Sequence, residues 1–250
     1  METMSNREGV FTQISLFSVL LNGRYGGVCS VADVKKYGNL AIATMDRLDG
    51  EMQMIDGVVY QACADGRLLL PKDDETIPFG TIAKFTPEQE LHLGGIPCFE
   101  DFEERMKTEC PGLNLPTAVH LKGNFLHVKV RAVGRQEKDG IGLAEAARNE
   151  AVFELDRISG DMVGFRLPGY VQGVNAPGWH LHFAVQTVHR GDGHIAMLLH
   201  VGDAAYAAIP SSKQDAEEGD LRKDSLSVAH RFLYHKNPLF LRIIYFSCQL

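Results

Sequence analysis

The stretch Gly178-Trp-His-Leu-His-Phe183 sets two histidines at i and i+2. On a strand that spacing points both imidazoles to one face, roughly 7 Å apart along the backbone, which suits two ligands of one metal ion. A third ligand has to come from elsewhere, and His194 in Gly193-His194-Ile195 is the nearest good candidate. Three neutral imidazoles leave positions on Zn²⁺ open to water or substrate, the arrangement of a catalytic site. The competing reading is a set of unrelated histidines, since the chain has ten and H-x-H alone is a weak signal.

The segment between the pair and His194 poses a geometric question. Arg190-Gly-Asp-Gly193 has the composition of a hairpin turn, and a tight turn there pairs His194 with His189. That register leaves His182 roughly 20 Å away along the strand. Convergence of the three imidazoles instead requires the chain to reverse near Val188, pairing His194 with His182.

The elements that must position these residues are mostly strands. Glu51-Met-Gln-Met-Ile55, Asp56-Gly57 and Val58-Val-Tyr-Gln61 read as a hairpin with a type I′ turn, with Glu51, Gln53 and Ile55 on one face and Met52 and Met54 on the other. Ala118–Ala132 is strand-rich, with Gly123-Asn124 as a turn, and its second half puts His127, Lys129 and Arg131 on one face. Val152–Leu155 resumes strand, and Gly160-Asp161 turns into Met162–Leu167. Helical spacing covers residues 12–22, Ser30–Tyr37 with Ser30 as N-cap and Gly38 as stop, Glu100–Lys107, and Leu143–Glu150. Many strands with a few helices between them predict an α+β fold on mostly antiparallel sheets, divided near residue 150 into two mixed α/β domains, 1–150 and 151–250.

The 250 residues suffice for real cores, and the composition is that of an ordinary globular protein, 45% hydrophobic and 23% charged. A net charge of −7 and the lack of a Lys/Arg cluster argue against a nucleic-acid partner. Five scattered cysteines form no C-x-x-C pair, which argues against a thiolate zinc site or a disulfide framework. Polar residues interrupt Val10–Leu21 and no basic segment precedes it, so no signal peptide is read. The run Leu239–Phe246 is too short to span a bilayer, and a cytoplasmic protein without membrane contact is expected.

Several motifs in order give a more specific reading. Phe11-Thr-Gln-Ile-Ser15, Leu21-Asn-Gly23, Leu48-Asp-Gly-Glu-Met52, Ile55-Asp-Gly57, Tyr60-Gln61 and Thr76-Ile-Pro-Phe79 resemble the N-terminal half of the α-acetolactate decarboxylases. Gly123-Asn-Phe125, Val130-Arg-Ala-Val-Gly-Arg-Gln136, Val163-Gly-Phe-Arg166 and Pro177-Gly-Trp-His-Leu-His-Phe183 continue in that family's order, over about residues 11 to 210. The resemblance implies a Zn²⁺-dependent carboxy-lyase acting on 2-acetolactate to give acetoin. His180 and His182 match the family's ligand pair. His194 matches its third ligand, although this chain has Asp192-Gly-His194 where Gly-Gly-His is usual. Glu51 matches an acidic residue facing the metal, Arg131 an active-site arginine, and Thr44 a threonine near the substrate.

The tail departs from the family pattern. The family carries a second active-site glutamate there, whereas Ser225 to Leu250 contains no Asp or Glu. A non-catalytic metal- or ligand-binding relative is therefore the alternative, and a three-His zinc hydrolase with Glu51 as base is a third reading. The apolar tail invites self-association, a homodimer being the simplest form.

Overall fold

The computed structural model describes residues 11–93, 96–185, 198–201, 230–231 and 242–248. The first strands are β1 (Phe11–Ile14), β2 (Cys29–Ser30), β3 (Leu40–Thr44), β4 (Glu51–Ile55), β5 (Val58–Ala62), β6 (Leu68–Leu69), β7 (Thr76–Ile77) and β8 (Phe79–Ala83). They are followed by β9 (Gln89–Leu91), β10 (Thr117–Ala132), β11 (Ala151–Leu167), β12 (Gly178–Val185), β13 (Leu198–Val201), β14 (His230–Arg231) and β15 (Arg242–Cys248). The helices are α1 (Phe17–Leu21), α2 (Val31–Tyr37), α3 (Phe99–Glu109) and α4 (Leu143–Ala146).

Two sheets face one another. The first runs β14-β1-β8-β3-β4-β5-β6 and is antiparallel throughout. The second runs β11-β12-β13-β10-β15-β9, and a further β10–β11 pairing closes β10 to β13 into a ring. Among the described strands, β10–β15 and β15–β9 pair in parallel. A small β2–β7 pair stands apart from both. This is the α+β, mostly antiparallel architecture expected. Residue 150, where a domain boundary was read, lies in the connection between β10 and β11, which pair from Thr117–Arg166 to Ala132–Ala151.

Alternation along the strands decides which face meets which. Met52 and Met54 turn toward α2 and pack with Ile14, Val31 and Val34. Leu40 and Ile42 take the opposite side of the first sheet and meet Ala118, Val163 and Phe165 of the second, forming the layer between the sheets. The far side of the second sheet buries Trp179, Leu181 and Phe183 with Phe102 and Met106 of α3. Period-2 burial thus sends the odd-numbered residues of β12 away from the first sheet and its even-numbered histidines toward it.

Three local readings change. Residues 12–22 are not one helix: β1 pairs with β8, Ser15 takes a left-handed φ of 60°, and only Phe17–Leu21 is helical. Ladder pairing overrides a helical pattern too short to stand alone. Gly123-Asn124 and Gly160-Asp161 are not turns either, because β10 and β11 run straight through them with Gly123 opposite Gly160 and Asn124 opposite Ser159. Gly160 answers a steric demand: a Cβ there would lie 2.5 Å from the Phe183 ring and 2.3 Å from the Ala184 carbonyl. The Asp56-Gly57 turn is as read, with φ of 50° and 80°.

The apolar tail supplies β15, whose backbone is paired on both sides, by β10 and by β9. Among the described residues no helix is long and apolar enough to cross a membrane.

Candidate active site

His180 and His182 sit on β12 directly opposite Phe165 and Val163 of β11, on the face turned toward the first sheet. His182 is 1% exposed. Its Nδ1 lies 3.1 Å from the carbonyl oxygen of Met52 on β4. A carbonyl only accepts, so Nδ1 carries the proton and Nε2 presents a lone pair. That Nε2 stands 3.3 Å from Nε2 of His180. Burial lowers the His180 pKa to about 4. Burial and then the neighbouring His180 push His182 well below its usual value, against the bond to Met52. Both rings are neutral near pH 7.

Glu51, the first residue of β4, brings its carboxylate Oε2 to 3.9 Å from His182 Nε2. Burial, reinforced by the charge of Glu150, pushes its carboxyl up to about 8, against the Val133 backbone N–H and Arg131. A carboxyl raised in this way is suited to carry a proton and to give it up near neutral pH. Its place on β4 follows from the β3–β4 turn. Arg47 and Leu48 both take left-handed φ, at 62° and 55°, and Thr44 donates its hydroxyl to the Gly50 carbonyl at 3.1 Å. Thr44 is buried directly opposite Glu51, so it braces the segment from which Glu51 projects.

Arg131 closes the other side from near the end of β10. Its Nη1 donates to Oε1 of Glu150 at 3.0 Å. Sequence reading did not single out Glu150. The available signal was the register: once β10 and β11 are continuous, Ala132 faces Ala151, and Glu150 falls beside the Arg131 end of the hairpin. Arg166 belongs elsewhere. It donates to the Cys110 and Gly112 carbonyls at 2.9 and 3.0 Å and lies over Trp179, tying the end of α3 to the sheet.

The histidine pair fits a metal ion. Zinc bonds of ~2.0–2.1 Å at a tetrahedral angle hold two nitrogens about 3.4 Å apart, close to the spacing found between two neutral rings whose Nε2 atoms face each other. Among the described residues no group of three His, Cys, Asp or Glu side chains is placed to hold a metal, so the described part contributes two imidazoles. His194 lies outside the described residues. The residue opposite His182 on β13 is His200, which also stands opposite Arg131.

Fold and site together define an α+β protein of two facing, mainly antiparallel sheets, with an imidazole pair, a buried carboxyl and an arginine gathered at their junction. The model of the family described as alpha-acetolactate decarboxylase matches residues 11–218, and the chain belongs to that family. It is 41% identical over 202 residues to the alpha-acetolactate decarboxylase of Methanosarcina mazei, covering 80% of this chain and 70% of that one. A crystal structure of alpha-acetolactate decarboxylase from Bacillus subtilis strain 168 superposes with a TM-score of 0.70 at 28% identity, covering 83% of this chain and 96% of that one. A Staphylococcus aureus structure, titled as a protein of unknown function similar to alpha-acetolactate decarboxylase, gives 0.67 at 30% identity, with 76% and 79% covered.

Proposed function

We propose that this chain is a Zn²⁺-dependent carboxy-lyase that converts 2-acetolactate to acetoin and protonates the product on one face. Family membership supports the reaction class, and one observation supports the chemistry most directly: two imidazole nitrogens 3.3 Å apart with the Glu51 carboxyl 3.9 Å from one of them.

Acetolactate is a β-keto acid, and loss of CO₂ leaves an electron pair on the carbon that carried the carboxylate. His180 and His182 would hold the zinc, with His194 proposed as the third ligand. Zinc, when bound, supplies Lewis-acid polarisation of the ketone and hydroxyl oxygens. Arg131 receives the substrate carboxylate through paired N–H groups and orients the bond that breaks. Thr44 is proposed to bound the substrate space beside Glu51. The protonated Glu51 carboxyl then delivers its proton to the carbanionic carbon as general acid. Glu51 is fixed on β4, so the proton arrives from one side and the product is chiral.

The test is acetoin formation by the zinc-loaded protein, with metal content measured on the same sample. Turnover that disappears in Glu51→Gln, with zinc retained, is the expected result. Ester or amide cleavage without CO₂ release would point instead to a hydrolase. The absence of Asp and Glu after Asp224 favours one second reading, a ligand-binding relative without turnover. Folded, zinc-loaded protein that makes no acetoin would establish it.

A further inference from the structure

The outward face of the β10–β11 hairpin carries a ladder of cross-strand ion pairs. His127 meets Asp156 at 2.8 Å and Lys129 meets Glu154 at 3.3 Å, each directly opposite its partner and all well exposed. Arg131 is the next rung, but the residue opposite it is Val152. Its guanidinium reaches Glu150 instead, and the side chains of this pair are only 20% and 16% exposed, against 62% and 58% for Lys129 and Glu154. Glu150 is also close enough to Glu51 to act on its carboxyl, as Arg131 does with the opposite sign. The last rung has therefore left the surface ladder and turned into the site, carrying a carboxylate of its own.

An exposed ion pair is screened by water and sets little. A pair sheltered from solvent acts on a neighbouring ligand through a lower effective dielectric, where a unit charge roughly 8–10 Å away changes binding by tenfold or more. From this geometry we propose that Glu150 is the residue that fixes the charge of the ligand Arg131 accepts, restricting the site to monoanionic 2-hydroxy acids and disfavouring dianions. Glu150 answers part of the guanidinium charge before any ligand arrives. One substrate carboxylate shares the arginine with it, while a second negative group meets Glu150 unanswered. The inference rests on the reading of Arg131 as the seat of the substrate carboxylate.

The experiment measures equilibrium binding to the zinc-loaded full chain by calorimetry, with two probes that share a 2-hydroxy-2-methyl carboxylate head. One is 2-hydroxy-2-methylpropanoate, with a single carboxylate, and the other is 2-hydroxy-2-methylbutanedioate, with two. Glu150→Gln keeps an acceptor oxygen for Arg131 and removes only the charge. The expected result is that E150Q binds both acids more tightly and improves the dianion by roughly tenfold more than the monoanion. Glu150→Ala must move the ratio in the same sense. A ratio unchanged in E150Q, a shift confined to E150A, or no binding of either acid to either protein overturns the proposal. Acetoin formation is followed separately. A shifted ratio without turnover removes the decarboxylase reading and leaves the role of Glu150 standing, and turnover with an unshifted ratio does the reverse.

Discussion

The imidazole of His182 on β12 is anchored to the Met52 carbonyl of β4, Nδ1 to oxygen at 3.1 Å, across the junction of the two sheets. One bond thereby fixes the tautomer, aims Nε2 at His180 and ties β12 to the strand that carries Glu51. Second contacts of this kind orient metal ligands and raise their basicity.

His182→Ala removes both the nitrogen and the tie. The expected outcome is zinc content falling from about one ion per chain to background, as for a site that loses one of three protein ligands. His180→Ala should do the same while leaving the β4–β12 contact in place. Elemental analysis of the dialysed proteins checks both. Zinc at full occupancy in either variant would remove the pair from the site.

The metal-free protein should show two opposed pH dependences. His180 and His182 have folded pKa values lowered by burial, His180 to about 4. The unfolded chain then binds more protons as pH falls below about 6.5, and stability drops on acidification toward 4. Glu51 is raised to about 8 from 4.5. The folded state keeps its proton longer, so the Glu51 contribution is complete below 4.5 and is lost as pH rises toward 8. Glu51→Gln abolishes the alkaline loss alone. Between pH 5 and pH 8 the two trends offset each other in the parent, so the rise in urea midpoint from pH 5 to pH 8 should be larger in E51Q than in the parent, and an identical difference would show that Glu51 does not titrate as its burial implies.

Much of this site was readable before any coordinates. The i, i+2 histidines and the Glu51–Ile55 alternation obey the period of a strand, and a period survives folding wherever one face is buried. The sheet order was not readable, because Gly123 and Gly160 look like turn residues to any local rule. Gly160 is a strand residue for a nonlocal reason, the Phe183 ring and the Ala184 backbone packed against it, and Gly123 pairs directly opposite. That misreading hid Glu150, which meets Arg131 only through the full length of the β10–β11 ladder. The residue opposite His182 on β13 is His200 and not His194, a register that no short-range rule specifies.

Gly164 makes the same steric point beside the histidine pair. A Cβ added there would stand 2.0 Å from the His180 carbonyl oxygen and 2.8 Å from Leu181 Cα, both backbone atoms that yield only if β12 lifts from β11. Gly164→Ala should destabilise the fold by about 1–3 kcal/mol, the usual range for overpacking. It should also weaken zinc retention, since His180 moves with its own carbonyl. Urea denaturation and competitive zinc chelation measure the two effects. A stable variant with loosened zinc would separate ligand placement from global packing, and no change in either would show that β12 accommodates the methyl group.

Arg166 and Trp179 give a spectroscopic handle on the far side of the same strand. The guanidinium lies 5.6 Å from the indole centroid and donates to the Cys110 and Gly112 carbonyls, and also to Thr117 Oγ1 at 3.2 Å. Trp179 is 5% exposed and is the chain's single tryptophan, next in sequence to His180. Lysine at position 166 keeps the charge but loses the planar fork that serves two carbonyls and stacks on the ring. Arg166→Lys should therefore cost about 1–3 kcal/mol, the scale of buried charged hydrogen bonds left unmade. It should shift Trp179 emission to the red as the end of α3 loosens. Zinc addition offers the discriminating control. If β12 transmits metal binding, zinc moves Trp179 emission in the parent protein, and the response persists in R166K with altered amplitude. Emission indifferent to zinc in both proteins would show that the strand holds His180 rigidly whether or not the ion is present.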